Sequence, residues 1–305
     1  MHKPIKLANN NFLSSLDLST DEVHLILNLA DSFKNKKINI DLKSKVLGLI
    51  FDKSSTRTRV SFQVAMTRLG GTTIDLNPNS SQIGRGEPIK DTARVLSRYC
   101  DVLAIRTFKQ SDLEEYAKWS TKPVINALTD LEPPCQALAD FLTIKEEFGE
   151  LKGKVLSYIG DGNNVANSFI EAASKFEFEL KIACPKKYQP NKKVVQIAKK
   201  NKCKLLITED PNKAVKNADC VMTDKWISMS DKDDKNKKKK ALKKYQVNKR
   251  IMKLAKSDAI FMHCLPASRE EEVTSEVMDG KQSAVWLQAF NRIHAQKSII
   301  EWCTK

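Results

Sequence analysis

The sequence predicts an α/β fold: two doubly wound parallel-sheet domains with a C-terminal helix. Three observations carry this expectation. Short apolar runs rich in β-branched residues alternate with longer amphipathic stretches along the 305 residues, the pattern of parallel strands wrapped by helices. A break at residues 146–154, with Gly149 and Gly153, divides the alternation into two halves of ordinary domain size. The last stretch, residues 291–303, reads as a helix with no strand after it. The expected limits are residues 1–148 for the first domain, 149–288 for the second, and 289–305 for a terminal helix packing back on the first.

In chain order, residues 20–33 follow a Ser/Thr cap and place Val23, Leu27 and Leu29 on or near one face, which predicts a helix. The apolar run 46–51 is a strand, followed by a helix at 57–69 that Ser54, Ser55 and Thr56 are suited to cap. Strands at 73–76, 102–105 and 124–126 and helices at 89–99 and 135–148 complete the first half. The second half reads as strands at 155–159, 180–183, 205–208, 220–223 and 259–263, with helices at 164–176, 191–200 and 245–255. Residues 231–244 hold eight lysines and three aspartates with no apolar periodicity. They are expected to form a solvated, mobile loop, in preference to a lid over an anionic site.

Composition narrows the function classes. Basic residues number 52 and acidic residues 37, giving a formal charge of +15. A basic chain invites a nucleic-acid partner, but lysine far outnumbers arginine, the better tool for base readout. A solvated basic surface is the preferred reading, so no nucleic-acid partner is expected. The longest apolar stretches, such as 46–51, fall far short of the roughly 20 residues of a membrane span, and the opening MHKPIKLANNNF has no apolar signal region. No membrane partner is expected. Seven cysteines, at 100, 135, 184, 203, 220, 264 and 303, form no CxxC pair. That predicts a reduced cytoplasmic chain without a disulfide framework.

The densest chemistry lies in Phe51-Asp-Lys-Ser-Ser-Thr-Arg-Thr-Arg-Val60, after an apolar strand and at a helix start. Backbone N–H groups at a helix start attract an anion, and arginine forks and hydroxyls add directed donors. Polar clusters close other strands: Arg106 and Thr107, Gly160-Asp-Gly-Asn-Asn164, Asp224 ahead of Trp226-Ile-Ser-Met229, and His263-Cys-Leu-Pro266. Ligands of open α/β sheets bind at that end of the strands. The Gly160 run lacks the third glycine of a dinucleotide fingerprint, and no GxxxxGK[ST] occurs, so no cofactor is expected. The histidines, at 2, 24, 263 and 294, lack metal-ligand spacing, so no metal is expected. His263 and Cys264, as strand neighbours, should point to opposite faces and make a poor thiol dyad. What remains is a site of arginines, hydroxyls and amides, suited to stabilising developing negative charge.

These motifs resemble those of the ornithine carbamoyltransferases, over nearly the full chain. Ser55-Thr-Arg-Thr-Arg59 resembles the carbamoyl-phosphate signature shared with the aspartate enzymes. Ser80-Ser-Gln-Ile-Gly84 through Lys90-Asp-Thr-Ala-Arg-Val95, Asp161-Gly-Asn-Asn164, Asp224 with Ser228-Met229, and His263-Cys-Leu-Pro266 resemble the ornithine branch. The aspartate branch has His-Pro-Leu-Pro-Arg in the last place. The resemblance implies transfer of a carbamoyl group from carbamoyl phosphate to the δ-amine of L-ornithine, giving L-citrulline and phosphate, in arginine biosynthesis or the arginine deiminase pathway. It implies that the first domain takes carbamoyl phosphate and the second takes ornithine. Ser55, Thr56, Arg57 and Thr58 would hold the phosphate, and Arg106 would bridge phosphate and carbonyl oxygen. The positions of Pro133 and Gln136 border the carbamoyl group. Gln82 would reach a neighbouring subunit's site, implying a homotrimer with shared active sites. Asn164, Asp224, Ser228 and Met229 would hold ornithine, and Cys264, Leu265 and Arg292 would close the site from the second domain. Arg106, Thr58, Cys264 and Arg57 are the expected catalytic residues.

The chain departs from the family pattern at Pro133-Pro-Cys-Gln136, where His-Pro-Cys-Gln is usual. Proline has no side-chain donor for the carbamoyl oxygen, and loss of one oxyanion donor costs about 10²–10³ in turnover. A weakened enzyme is therefore expected. Ser230 stands where glycine is usual, Ser268 where histidine is common, and Phe290 where glutamate often precedes Asn-Arg. Two other readings stay open: a carbamoyltransferase for an acylated ornithine or another amine, and a non-catalytic or nucleic-acid-binding protein.

Overall fold

In the computed structural model, residues 10–15, 17–53, 55–77, 82–83, 86–227 and 234–305 are described. The chain divides into two compact units. One runs through Leu138 and takes in Asn291–Lys305; the other is Ala139–Phe290.

In the first unit, α1 (Thr20–Lys34) opens on a capping box, Ser19 accepting from the Glu22 amide while Glu22 accepts from the Ser19 amide. Its buried face is Val23, Ile26, Leu27, Ala30 and Phe33; Leu29 is only half-buried. The sheet holds β1 (Val46–Phe51), β2 (Thr72–Leu76), β3 (Val102–Arg106) and β4 (Val124–Leu128). All pair in parallel in the order β2-β1-β3-β4. β1, β3 and β4 are almost wholly buried, as parallel strands covered on both faces must be. Helices α2 (Thr56–Arg68), α3 (Ile89–Tyr99) and α4 (Gln110–Trp119) make the crossovers. Before α1, Phe12 bridges to Ile125 and so flanks β4.

The second unit has β5 (Val155–Ile159), β6 (Glu179–Ala183), β7 (Leu205–Thr208), β8 (Cys220–Thr223) and β9 (Ile260–His263). These pair in parallel in the order β7-β6-β5-β8-β9. Helices α6 (Asn164–Phe176), α7 (Lys192–Lys200), α8 (Pro211–Val215), α9 (Lys235–Leu242), α10 (Lys249–Met252) and α11 (Ser275–Met278) join them. The core includes Val221, Trp226, Leu242, Tyr245 and Phe261. The division between units falls within α5 (Pro134–Phe148) and α12 (Val285–Thr304).

The doubly wound sheets bear out the fold expectation, with three corrections. The lysine-rich stretch is not a loop throughout, because residues 235–242 form α9, capped by Asp234 accepting from Asn236 and Lys237. The terminal helix begins at Val285, earlier than the sequence pattern suggests. Helix α4 went unrecognised, since its buried set is only Leu113, Tyr116 and Ala117 among charged residues.

Each sheet reverses its winding direction once. In the first, β2 lies on one side of β1 and β3 on the other; in the second, β6 and β8 flank β5. The carboxyl ends of β1 and β3, and of β5 and β8, therefore frame the two switch points where open α/β sheets bind ligands.

Candidate active site

At the first switch point, β1 runs through Ser55 into α2, and Arg106 ends β3 in register with Phe51. Ser55 occupies the N-cap in extended conformation, but its side chain makes no capping bond. The first-turn amides of α2 are thus left for an anion. Thr56 and Arg57 are exposed and Thr58 is buried. Arg292, from α12, donates through Nη2 to Thr58 Oγ1 at 2.8 Å and through Nη1 to Gln136 Oε1 at 2.6 Å. Because Thr58 accepts this bond, its hydroxyl hydrogen is turned toward other partners.

Electrostatics marks the same place. Arg106 is pushed down to about 10 by burial and by the Arg292 and Arg57 guanidiniums, with Asp130 opposing weakly. Its Nε is buried with no hydrogen-bond partner. A guanidinium depressed by burial and by two like-charged neighbours marks a site that an anion would relieve. Neighbouring charges are already balanced: Arg59 pairs with Asp75 at 3.4 Å and lies over the Phe51 ring, and Lys53 pairs with Asp130 at 2.7 Å. Arg59 is therefore held apart from the anion cluster.

Pro133 is buried just ahead of α5, its carbonyl accepting from Gln136 and Ala137 amides at 2.9 and 3.0 Å. It works as a helix-entry residue, and no donor side chain occupies that position. Gln82 is exposed in the same unit. Ser54, Ser80, Ser81 and Gly84 lie outside the described residues, as do Ser228, Met229 and Ser230.

At the second switch point, Asn163 caps α6, its Oδ1 accepting from the amides of Val165 and Ala166 and from Tyr158 Oη. Its Nδ2 donates to Asp224 Oδ2 at 2.7 Å, so one amide joins the ends of β5 and β8. Asp224 Oδ1 accepts from the Cys264 thiol at 3.0 Å. Burial and the charges of Asp224 and Asp161 hold the Tyr158 hydroxyl far above its ordinary range, so it serves as a donor. Asn164 and Leu265 are half-buried beside these groups in sequence.

The His263-Cys264 turn differs from the strand alternation expected of it. β9 ends at His263, and Leu265 takes φ 61°. The ligand atoms of Asp224, His263 and Cys264 then lie within 4.8 Å of one another. The imidazole is nonetheless committed: Nδ1 accepts from the Leu265 amide at 2.9 Å, and Nε2 faces Glu272 at 3.3 Å. The His263 amide donates to Gln288, which in turn donates to Asp140 at 2.7 Å. This buried chain shapes the turn, and Nδ1, bonded to the Leu265 amide, is not available to a thiol dyad.

The sequence-predicted residues thus form two groups. Ser55, Thr56, Arg57, Thr58, Arg106, Pro133, Gln136 and Arg292 belong to the first unit, while Asn164, Asp224, Cys264 and Leu265 belong to the second. Arg292, on the terminal helix, stands in the first unit against Thr58 and Gln136. Cys264 and Leu265, expected to meet carbamoyl phosphate, stand in the unit that holds Asp224. Sequence reasoning missed Asn163 and the His263–Glu272 pair. Asn163 was legible as a helix cap, but its bond to Asp224 spans 61 residues.

Comparison with known proteins also divides the chain in two, although the second match takes in residues 291–303. Residues 10–146 match the aspartate/ornithine carbamoyltransferase carbamoyl-P binding domain, and residues 152–303 match the Asp/Orn binding domain of the same family. An ornithine carbamoyltransferase of Prochlorococcus marinus (strain MIT 9312) is 62% identical over 303 residues, covering 98% of each chain. One of Nostoc punctiforme is 48% identical over 297 residues, 96% of this chain and 97% of that one. The solved ornithine carbamoyltransferase of Pyrococcus furiosus superposes with a TM-score of 0.91 at 46% identity, covering 97% of both chains. With full-length identity of this order and both domains matched, the chain belongs to the aspartate/ornithine carbamoyltransferase family, among its ornithine carbamoyltransferase members.

Proposed function

We propose that the protein transfers the carbamoyl group of carbamoyl phosphate to the δ-amine of L-ornithine, giving L-citrulline and phosphate. The observation that carries this reading is the Arg57–Arg106–Arg292 cluster with Thr58, an excess of fixed positive charge at a sheet switch point. The name printed for relatives up to 62% identical supports ornithine as the acceptor.

In this mechanism the first domain, proposed at residues 1–148 with the terminal helix 289–305 packing on it, takes carbamoyl phosphate. The α2 amides, Ser55, Thr56, Arg57 and Thr58 hold the phosphate, and Arg106 reaches both phosphate and carbonyl oxygen. Gln136, oriented by Arg292, faces the carbamoyl amide. The second domain, proposed at residues 149–288, takes ornithine: Asp224 receives the α-ammonium, with Asn164, Ser228 and Met229 around the α-carbon. Cys264 and Leu265 border the side chain. The neutral δ-amine attacks the carbonyl carbon, charge collects on oxygen, and the C–O bond to phosphate breaks as the amine's proton passes to the departing phosphate. Arg106 and the Thr58 hydroxyl stabilise the charge without reorganising. An acylated ornithine has no α-ammonium for Asp224, which disfavours that substrate.

Active sites shared in a homotrimer are part of the proposal, with Gln82 serving a neighbour. Exposed apolar side chains in the first unit, Val60, Ile74, Val95 and Tyr99, support a subunit contact there. A cytoplasmic setting is supported by seven cysteines that form no disulfide. Among the described residues no helix is long and apolar enough to cross a membrane. The test is phosphate release from carbamoyl phosphate: ornithine should stimulate it and aspartate should not. A preference for aspartate, or no stimulation by either, contradicts the proposal.

A further inference from the structure

Helix α9 lies in the lysine-rich stretch to which the proposed reaction gives no task. It buries two side chains, Lys238 and Leu242, one turn apart on one face. Leu242 enters the apolar core with Trp226 and Tyr245. Lys238 brings a charge inward: it is 3% exposed, and its ammonium donates to Asp161 Oδ2 at 2.7 Å. The same nitrogen sits 5.1 Å from the centre of the Tyr188 ring. Lys235, Lys237 and Lys240 on the same helix are exposed, so this residue stands out by environment and not by sequence. An ammonium is buried at high cost unless a carboxylate takes it.

Its partner begins the loop that builds the second switch point. The Asp161 carbonyl accepts from the Asn163 amide at 2.7 Å, and the Gly162 amide donates to Tyr188 O at 2.8 Å. Gly162 is pressed so closely on this segment that a Cβ there would lie 2.4 Å from Pro190 N. The loop is therefore pinned by Tyr188 on one side and by Lys238 on the other, and it delivers Asn163 to Asp224.

We propose that Lys238 is a positioning residue for the amino-acid substrate. It neutralises and holds Asp161, so that Asn163 keeps Asp224 aimed and Asp224 remains the carboxylate offered to the substrate's α-ammonium. This rests on the reading of Asp224 as the ornithine ligand. A lysine that only secures α9 would affect both substrates or neither; a positioning lysine affects one.

Wild-type turnover with ornithine is measured first and stands for the carbamoyl-transfer reading itself. Lys238→Met should then raise the KM for ornithine about tenfold, the scale of one charge-assisted hydrogen bond. The KM for carbamoyl phosphate should stay within about twofold. Adding Asp161→Asn should recover most of the loss, because no unpaired buried charge remains. An unchanged ornithine KM, an equal rise in both KM values, or a double variant no better than the single one overturns the proposal. Should Lys238→Met fail to fold, Asp161→Asn alone should raise the KM for ornithine and spare that for carbamoyl phosphate; any other pattern of the two values overturns the proposal. Should the wild type make no citrulline, amide hydrogen exchange of residues 162–166 decides instead. Exchange about tenfold faster in Lys238→Met supports the positioning role, and equal exchange overturns it.

Discussion

At the scale of single residues, the proposed function rests on three guanidiniums and one carboxylate. Replacing Arg106 with methionine removes the donor placed between Arg57 and Arg292, the group whose proton affinity those neighbours lower. Inorganic phosphate should raise the melting temperature of the wild type and leave that of Arg106→Met unchanged; an equal rise in both would remove Arg106 from the anion site. Pro133 tests the opposite direction. It supplies only a carbonyl to the start of α5, so Pro133→His should restore an oxyanion donor and raise kcat about 10²-fold; no gain in rate would sink the idea of a missing donor. The anion cradle was legible in the sequence because Ser55, Thr56, Arg57 and Thr58 are contiguous and follow a buried strand. Arg292 was legible only through resemblance, and its contact with Thr58 spans 234 residues. Asn163 escaped because local capping already accounts for an asparagine at a helix start.

At the scale of elements, the strands were read to within a residue or two. Burial on both faces leaves the inner strands nearly continuous apolar runs, while β2 and β7 at the sheet edges are half-buried or exposed. Helices with wide apolar faces were legible too, whereas α4 and α9 were not. Helix α9 is held by one leucine and one buried ion pair, and no hydrophobic periodicity announces an ion pair. Helix α12 carries its own polar signature, His294, 6% exposed. Burial, with Lys297, Lys34 and Arg68 nearby, pushes its imidazole down to about 4 from an ordinary 6.5. The unfolded chain therefore binds a proton that the folded chain refuses between pH 6.5 and 4. Stability is unaffected above pH 6.5 and falls as the pH drops through that window, by up to about 3 kcal/mol. Denaturant titrations of His294→Gln against wild type should show a shallower loss of stability in that range. Parallel curves would mean that the imidazole titrates normally.

At the scale of the molecule, one construction is used twice. Each parallel sheet reverses its winding once, and each reversal gathers the polar ends of two strands. The first gathers an excess of arginine and the second a carboxylate held by an amide and a thiol. The formal charge of +15 plays little part in this. Much of the lysine is surface, and the charges to which the proposals give tasks are Arg57, Arg106 and Arg292 together with one lysine turned inward. The proposed homotrimer predicts a sedimenting mass three times the 34.5 kDa of the chain. Charges placed on the exposed apolar face of α3, as in a Val95→Asp, Tyr99→Glu variant, should return it to the mass of one chain; a wild type that sediments as a single chain would exclude shared sites.

The anion cluster and the Asp224 carboxylate are held to serve one reaction between carbamoyl phosphate and ornithine. The most direct test supplies carbamoyl phosphate labelled at the carbonyl carbon, with ornithine, an Nα-acylated ornithine or aspartate as acceptor, and follows the label. Labelled citrulline and an equal amount of phosphate are predicted from ornithine, with little product from the other two acceptors and loss of the preference in Asp224→Asn. Label appearing in the acylated product or in carbamoyl aspartate, with none in citrulline, would contradict it.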